Sequence, residues 1–309
     1  MEDYPRTQLE LERRFSTDQA CRDYLARLRW PDRFVCPRCA GQRAWLTDRG
    51  LWYCAGCHHQ TSVTAGTIFQ DTHLPLTVWF RVLWQVTSQK SGASALGIQR
   101  VLGLGSYRTA WAMLHKLRRA MVRPGRDRLA GSIEVDETYL GGPEKGADGR
   151  GTERPLVVVA AQIDGKGIGR IRLRHVPDAS GPSLLGFIED AIEPGSLIHT
   201  DGWESYKALP QKGYLHAVSK LRSKSGLAFE LLPRVHLVVS LLKRWLLGTL
   251  HGRISPAHLE YYLDEFTFRF NRRTSASRGK LFYRLLQQAV QVPPATYRSI
   301  TAPPRMGDT

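Results

Sequence analysis

Ile133-Glu134-Val135-Asp136-Glu137-Thr138-Tyr139 is a β-branched and aromatic run, strand-forming by propensity, that carries three carboxylates. A strand inside a folded sheet does not take up three acids unless a partner charge or a metal compensates them. Side chains alternate along a strand, so Glu134 and Asp136 share one face and Glu137 points to the other. A second apolar run, Ser196-Leu197-Ile198-His199-Thr200-Asp201-Gly202-Trp203, also ends on an acid, with Gly202 permitting a sharp turn beside it. Two strand-borne aspartates that converge are candidate ligands for a divalent cation. The plain alternative is that each Asp caps a turn.

The chain around these strands is long enough, at 309 residues, for two domains, and its 42% hydrophobic content excludes a largely disordered protein. Its net charge of +16 creates a field that attracts polyanions. No apolar run approaches a membrane span, and the basic excess is spread through folded-looking segments rather than gathered in a tail. Nucleic acid is therefore the expected partner, ahead of an anionic membrane surface. Met1 to Glu12 is acidic and polar, without the basic start and apolar core of a signal peptide, so the expected location is cytoplasmic.

Five cysteines fit a reducing compartment with a bound metal better than a disulfide framework. Cys36-Pro-Arg-Cys39 and Cys54-Ala-Gly-Cys57 are two knuckles, each aiming a pair of thiolates at one point, and together they form a tetrahedral sulfur site for structural zinc. Between them lie hairpin-like segments around the turn Thr47-Asp48-Arg49-Gly50, the plan of a zinc ribbon. His58 and His59 follow, but four cysteines already fill the shell. A ribbon this small owes its fold to the metal. Upstream, residues 7–29 show helical periodicity, with Thr17 or Ser16 before Asp18 as a helix start inside it and Cys21 on the apolar stripe.

Past the ribbon, residues 76–88 read as a helix rich in large apolar side chains. Two shorter helices, 91–102 and 106–119, flank Gly103-Leu104-Gly105 in a helix-turn-helix pattern. Ser106 is a credible N-cap, which puts Tyr107, Arg108 and Thr109 in the first turn of the second helix, where a recognition helix meets base edges. From Arg100 to Arg128 eight residues are Lys or Arg, Lys116, Arg118 and Arg119 among them, against the one acid Asp127. That face suits phosphate contact. An ordinary helical hairpin is the alternative. Downstream of the acidic strand, residues 155–163 are apolar throughout, hence a central strand, and 169–174 alternate Arg with Ile and Leu, hence half-exposed, with Asp164-Gly165 opening the hairpin between them. A helix over 180–192 precedes the strand that ends at Asp201. Three meandering strands, a helix and a further strand ending in Asp match the order of a ribonuclease H-like fold. Residues 207–229 read as basic loop, 234–248 as a helix ending near Gly248, and 255–270 as another. Arg269 to Arg284 holds six Arg or Lys and no acid, Arg272 and Arg273 included, and the last eighteen residues read as a Pro-rich tail.

From Cys36 to about Arg273 the chain resembles bacterial insertion-sequence transposases with an N-terminal zinc ribbon and a DDE-type, ribonuclease H-like catalytic domain. The markers are Val135-Asp-Glu-Thr-Tyr139, His199-Thr-Asp-Gly-Trp203, the run from Leu242 to Thr249, and Tyr262 to Arg273. The resemblance implies cutting at the ends of a mobile element and strand transfer into a new site, with two magnesium ions held by Asp136 and Asp201. Such enzymes supply a third acid on a later helix with Lys or Arg seven residues beyond it. Here thirty-four residues separate Asp201 from His236, and Lys243 lies seven after His236, so the register holds but the Glu has become His. Imidazole is a workable ligand or base, softer than carboxylate, and biases the site toward manganese. If His236 is instead a packed helix residue, Glu134 is the first substitute. Lys243 and Arg244 are the expected phosphate contacts on that helix.

The resulting expectation is an α/β protein, a ribonuclease H-like mixed sheet preceded by a zinc ribbon and a helix-turn-helix. Its segments are an N-terminal helical stretch 1–32, the ribbon 33–66, the helix-turn-helix region 67–125, the catalytic domain 126–290 and the tail 291–309. DNA is the partner, and joining two ends implies a homodimer or higher homo-oligomer on the bacterial nucleoid. Two other readings fit the same residues: a DNA-binding regulator without catalysis, and a nuclease that cuts without joining.

Overall fold

A computed structural model describes residues 2–123, 125–141, 154–219, 231–250 and 255–301. In chain order the elements are α1 (Gln8–Arg14), α2 (Asp18–Arg29), β1 (Ala44–Leu46), β2 (Trp52–Cys54), β3 (Gln60–Thr61), α3 (Leu76–Ser88), α4 (Ala95–Leu102) and α5 (Tyr107–Ala120). Then come β4 (Ser132–Tyr139), β5 (Leu156–Asp164), β6 (Gly167–Val176), α6 (Gly181–Ala191), β7 (Leu197–Thr200), β8 (Leu215–Val218), α7 (Pro233–Leu250), α8 (Leu259–Phe270), α9 (Arg278–Ala289) and α10 (Tyr297–Thr301). None of the described helices is long and apolar enough to cross a membrane. The chain forms two units, one of residues 1–123 with 274–309, the other of 124–273.

In the first unit the periodic stretch 7–29 is two helices rather than one, because Thr17 stops the first and caps the second, its hydroxyl accepting from the Ala20 amide at 3.2 Å. The ribbon is a three-stranded antiparallel sheet in the order β1-β2-β3. Its inner face packs Phe34, Trp30 and Trp52 against Cys36 and Cys54. The apolar face of α3 meets α9 in an aromatic cluster, with Phe80 4.7 Å from Phe15 and 5.6 Å from Phe282, and Trp84 5.9 Å from Phe282. This corrects the sequence boundary at 290: α9 turns Leu281, Phe282, Leu285 and Leu286 into the core of the first unit rather than onto the sheet of the second. The segment 291–301 is likewise more than a tail, with Val292, Ala295 and Ile300 buried; residues 302–309 lie outside the described residues. The N-terminus joins the same core, since Gly279 lets the Pro5 carbonyl pass where a Cβ would stand 1.7 Å away.

The second unit is a five-stranded mixed sheet in the order β6-β5-β4-β7-β8. β4, β5 and β6 form the antiparallel meander, and β7 and β8 run parallel to β4. This is the ribonuclease H-like arrangement. The fifth strand, β8, falls inside the stretch read from the sequence as loop. Leu215–Val218 is too short to declare itself by alternation, and the glycine-closed turn at Gly213 delivers it to the edge of β7. One face of the sheet packs Ile133, Val135, Val158 and Ala160 against Leu184, Phe187 and Ile188 of α6. The other packs Val157, Val159 and Ile171 against Val235, Val238 and Leu242 of α7 and Leu263 of α8. α7 passes Gly248 and runs to Leu250, since a glycine ends a helix only where the chain turns left-handed. α8 closes the free edge of β6: Asn271 accepts from the Ile171 amide at 2.7 Å and donates to its carbonyl at 3.1 Å, and Glu260 accepts from the His175 amide at 2.6 Å.

Phe282→Ala tests where α9 belongs. Removing a ring with no exposed surface that three other aromatics surround should cost about 3–5 kcal/mol, read as a lower denaturant midpoint for the helical signal of the first unit.

Candidate metal centre and acidic site

The four ribbon cysteines carry their sulfurs within 4.8 Å of one another. Cys36 and Cys57 Sγ are 3.6 Å apart, as are Cys39 and Cys54 Sγ, close to the edge of about 3.8 Å that a tetrahedron of 2.3 Å zinc–sulfur bonds requires. The Cys57 amide directed at Cys54, and then that of Gly56, hold the Cys54 thiol at about 7 against the opposing effect of desolvation. Cys39 receives the Gly41 amide, which lowers it, but the Cys57 and Cys54 sulfurs outweigh that and push it up to about 12. Four sulfur donors in this geometry are positioned to bind zinc. His58 turns its Nδ1 to the Tyr53 hydroxyl at 2.8 Å.

The acids of the second unit are placed by strand register. β4 pairs with β7 in parallel, Ile133 beside Ile198 and Glu134 beside His199. Continued two residues, the same register brings Asp136 level with Asp201, which stands one residue beyond the end of β7. Neighbouring strands are about 4.8 Å apart. Asp201 is exposed and turns back on its own chain, its Oδ1 accepting from the Trp203 amide at 2.9 Å. The turn needs Gly202, at φ +85°, where a Cβ would meet Val218 Cγ1 at 2.5 Å. Thr200 supports it, its hydroxyl oxygen accepting from the Gly202 amide at 3.1 Å and pairing with His216 Nε2 at 2.8 Å.

α7 supplies the next group. His236, in its first turn, sets Nε2 3.7 Å from Asp136 Oδ2, with the two side chains 30% and 17% exposed. Glu134, on the same strand face as Asp136, is buried with both carboxylate oxygens engaged by Arg234 and the start of α7. Glu137 faces the other way and accepts the Tyr206 hydroxyl at 2.8 Å. Burial raises the Tyr206 pKa well above its ordinary value, and the negative charges of Glu137, Asp136 and Asp201 raise it further, so the hydroxyl stays protonated as a donor. Sequence reasoning missed Tyr206 because a tyrosine in a short turn carries no periodic signal. It also missed Arg154, which lies over the Tyr139 ring at 5.6 Å. Desolvation, and then the like charge of Arg154, lower the Lys243 pKa. Among the described residues the cysteine set alone brings three or more metal-binding side chains within 4.8 Å, so Asp136, Asp201 and His236 do not meet at a single point.

The basic residues divide. α4 starts at Ala95, four residues later than the sequence suggests, because Ser94 caps it; it ends on Gly103 in the left-handed conformation, and Ser106 caps α5, its hydroxyl accepting from the Arg108 amide at 3.2 Å. Tyr107 and Arg108 are exposed, and Arg108, Thr109 and Lys116 line one side of a cavity of about 620 Å³ with Trp79 and Asp71. Arg119 is half-buried and Arg244 exposed. Arg118 is 2% exposed on the inner side of α5, which corrects its placement among the phosphate contacts: α5 buries the face that carries it. Arg272 lies over the Phe268 ring at 4.0 Å. Arg273 lies over Phe270 at 4.1 Å and donates to the carbonyls of Gly169 and Ile168, so its guanidinium serves the closure of the β6 edge.

Residues 16–60 match the model of a transposase zinc-ribbon domain, and residues 128–271 match that of the ISXO2-like transposase domain. No curated protein matches the chain. Among solved structures it is similar to a chain of the simian T-cell lymphotropic virus intasome in complex with PP2A regulatory subunit B56 gamma, at 14% identity and a TM-score of 0.32, over 65% of this chain and 74% of that one. With both family matches in order along it, and with the sulfur site and mixed sheet that each requires, the chain belongs to the transposases that carry an N-terminal zinc ribbon ahead of a DDE-type domain.

Proposed function

We propose that the chain is the DNA transposase of an insertion sequence, which binds the element ends and catalyses metal-dependent strand cleavage and strand transfer. The observation that carries this reading is the parallel pairing of β4 with β7, whose register points Asp136 and the turn residue Asp201 to the same end of the sheet, with His236 Nε2 3.7 Å from Asp136 Oδ2. Two carboxylates and an imidazole suit magnesium or manganese. The 3.7 Å between Asp136 and His236 is too long for a hydrogen bond and within the span of two ligands about 2.1 Å from one ion. Held by Asp136 and Asp201, such ions would supply activation of the attacking water or DNA 3′-hydroxyl and stabilisation of the leaving oxygen of a phosphodiester.

The chain's own side chains do the rest. Asp136 and Asp201 hold the ions, His236 completes the set as ligand or as acceptor of the nucleophile's proton, and Lys243, two turns along α7, steadies a phosphate with Arg154 beside it. Tyr107, Arg108 and Thr109 read the element end, while Lys116, Arg119 and Arg244 contact its backbone. The ribbon stays folded on zinc alone. Two ends joined in one reaction call for a homodimer or a higher homo-oligomer.

Four outcomes test this reading. Asp136→Asn or Asp201→Asn should abolish cleavage of element-end DNA while leaving its binding intact, because the ligand charge is lost and the basic surfaces are not. His236→Ala should slow cleavage by at least ~10²-fold, the lower end of what positioned acid–base groups contribute, and His236→Glu should keep magnesium-dependent activity. Parental cleavage by His236→Ala would remove His236 from the site. Arg108→Ala should cost about 1–3 kcal/mol at the element end and much less on random DNA, in paired binding titrations. Elemental analysis should find one zinc per chain, and Cys54→Ser should lose it together with the ribbon's fold while the sheet unit stays folded.

A further inference from the structure

Glu134 is 3% exposed, and the reaction assigns it no part. A buried carboxylate must be compensated by donors or charge. Here the compensation comes from one place, the start of α7. Glu134 Oε2 accepts the backbone N–H of Arg234 at 2.7 Å and that of Val235 at 3.0 Å, and Oε1 accepts Arg234 Nη1 at 3.0 Å. Those amides belong to the first turn of a helix, which has no carbonyl of its own to offer them and whose dipole favours a negative charge. Arg234 is in turn fixed from behind, its Nε donating to the Gly167 carbonyl at 3.0 Å and its Nη2 to that of Gly165 at 2.9 Å, in the turn between β5 and β6.

His236 follows Val235 directly, and Asp136 stands two residues along β4 from Glu134 on the same face. The strand and the helix therefore meet at two consecutive points, Glu134 with 234–235 and Asp136 with 236. The first contact dictates the second. Turning α7 by one residue about its axis would swing the His236 ring about 100° away from Asp136, and it would have to break all three bonds to Glu134 first. Glu134 cannot turn to a metal without stripping the first turn of its acceptor and leaving the Arg234 charge uncompensated.

We infer that Glu134 and Arg234 are a positioning pair that sets the register of α7 on β4 and so holds His236 over Asp136, and that Glu134 is not a metal ligand. The inference rests on the reading of Asp136 and His236 as parts of one catalytic site. Its test compares the parental full-length protein with Glu134→Gln and Glu134→Ala by amide exchange in α7, by manganese-induced broadening of the His236 ring resonance, and by cleavage of element-end DNA. Loss of charge-assisted bonds to the first turn should speed exchange at Arg234 and Val235 by about tenfold or more. Manganese should then reach the His236 ring only at about tenfold higher concentration, and the cleavage rate should fall while DNA affinity stays parental. If Glu134→Ala does not fold, Glu134→Gln, which keeps the side-chain volume and one acceptor, and Arg234→Gln decide the question by the same measurements.

Two results would overturn the inference. Unchanged exchange in α7 with loss of manganese broadening would make Glu134 a ligand. Faster exchange with parental broadening and parental cleavage would make the pair a stabilising contact and nothing more. A parental protein whose His236 ring never responds to manganese would instead fault the metal reading of His236, and exchange with cleavage would still decide on Glu134.

Discussion

The parallel pairing of β4 with β7 is the constraint on which the rest of the sheet unit depends. Each strand alone offers an aspartate at an unremarkable place, one within the strand and one in a turn. Pairing in this register brings the two level at the same end of the sheet, where a parallel strand needs a long crossover to arrive. α6 makes that crossover, and its apolar face covers one side of β4 while α7 covers the other. Both faces of β4 are covered, and its acids meet different neighbours: the first turn of α7 holds the buried Glu134, the His236 ring stands 3.7 Å from the half-buried Asp136, and the Tyr206 hydroxyl donates to Glu137.

Much of this architecture was legible in the residues. The alternation of Glu134, Asp136 and Glu137 follows from strand geometry alone, as does the meander of β4, β5 and β6, because β-branched runs bounded by Asp-Gly and Gly-rich segments have few other solutions. The sulfur site follows from two cysteine knuckles at a distance that a hairpin spans. The helix boundary at Thr17 and the turn after Gly103 follow from side chains that bond their own backbone.

What stayed hidden shares one property: it depends on contacts distant in sequence. Arg234 lies a hundred residues from Glu134, and no local pattern says that a helix start will settle on that carboxylate. α9 has a clear apolar face, but amphipathicity states that a face is covered and not which core covers it. The basic clusters suffered from the same ambiguity, since a guanidinium reads as a surface charge until the fold turns it inward, as for Arg118, or onto a strand edge, as for Arg273.

The return of α9 to the first unit also bears on how the molecule is made. A ribosome releases the chain from its N-terminus, and domains generally fold as they emerge. The sheet unit is contiguous, so it can close as soon as residue 273 is out. The helical unit cannot, because Phe282 is missing from among Phe15, Phe80 and Trp84 until synthesis has passed residue 282. During synthesis, then, the aromatic cluster of the first unit stays incomplete until after the last residue of the sheet unit has been made. Any product cut short before Phe282 would keep that cluster permanently incomplete, and quality-control proteases would meet it as unfolded protein.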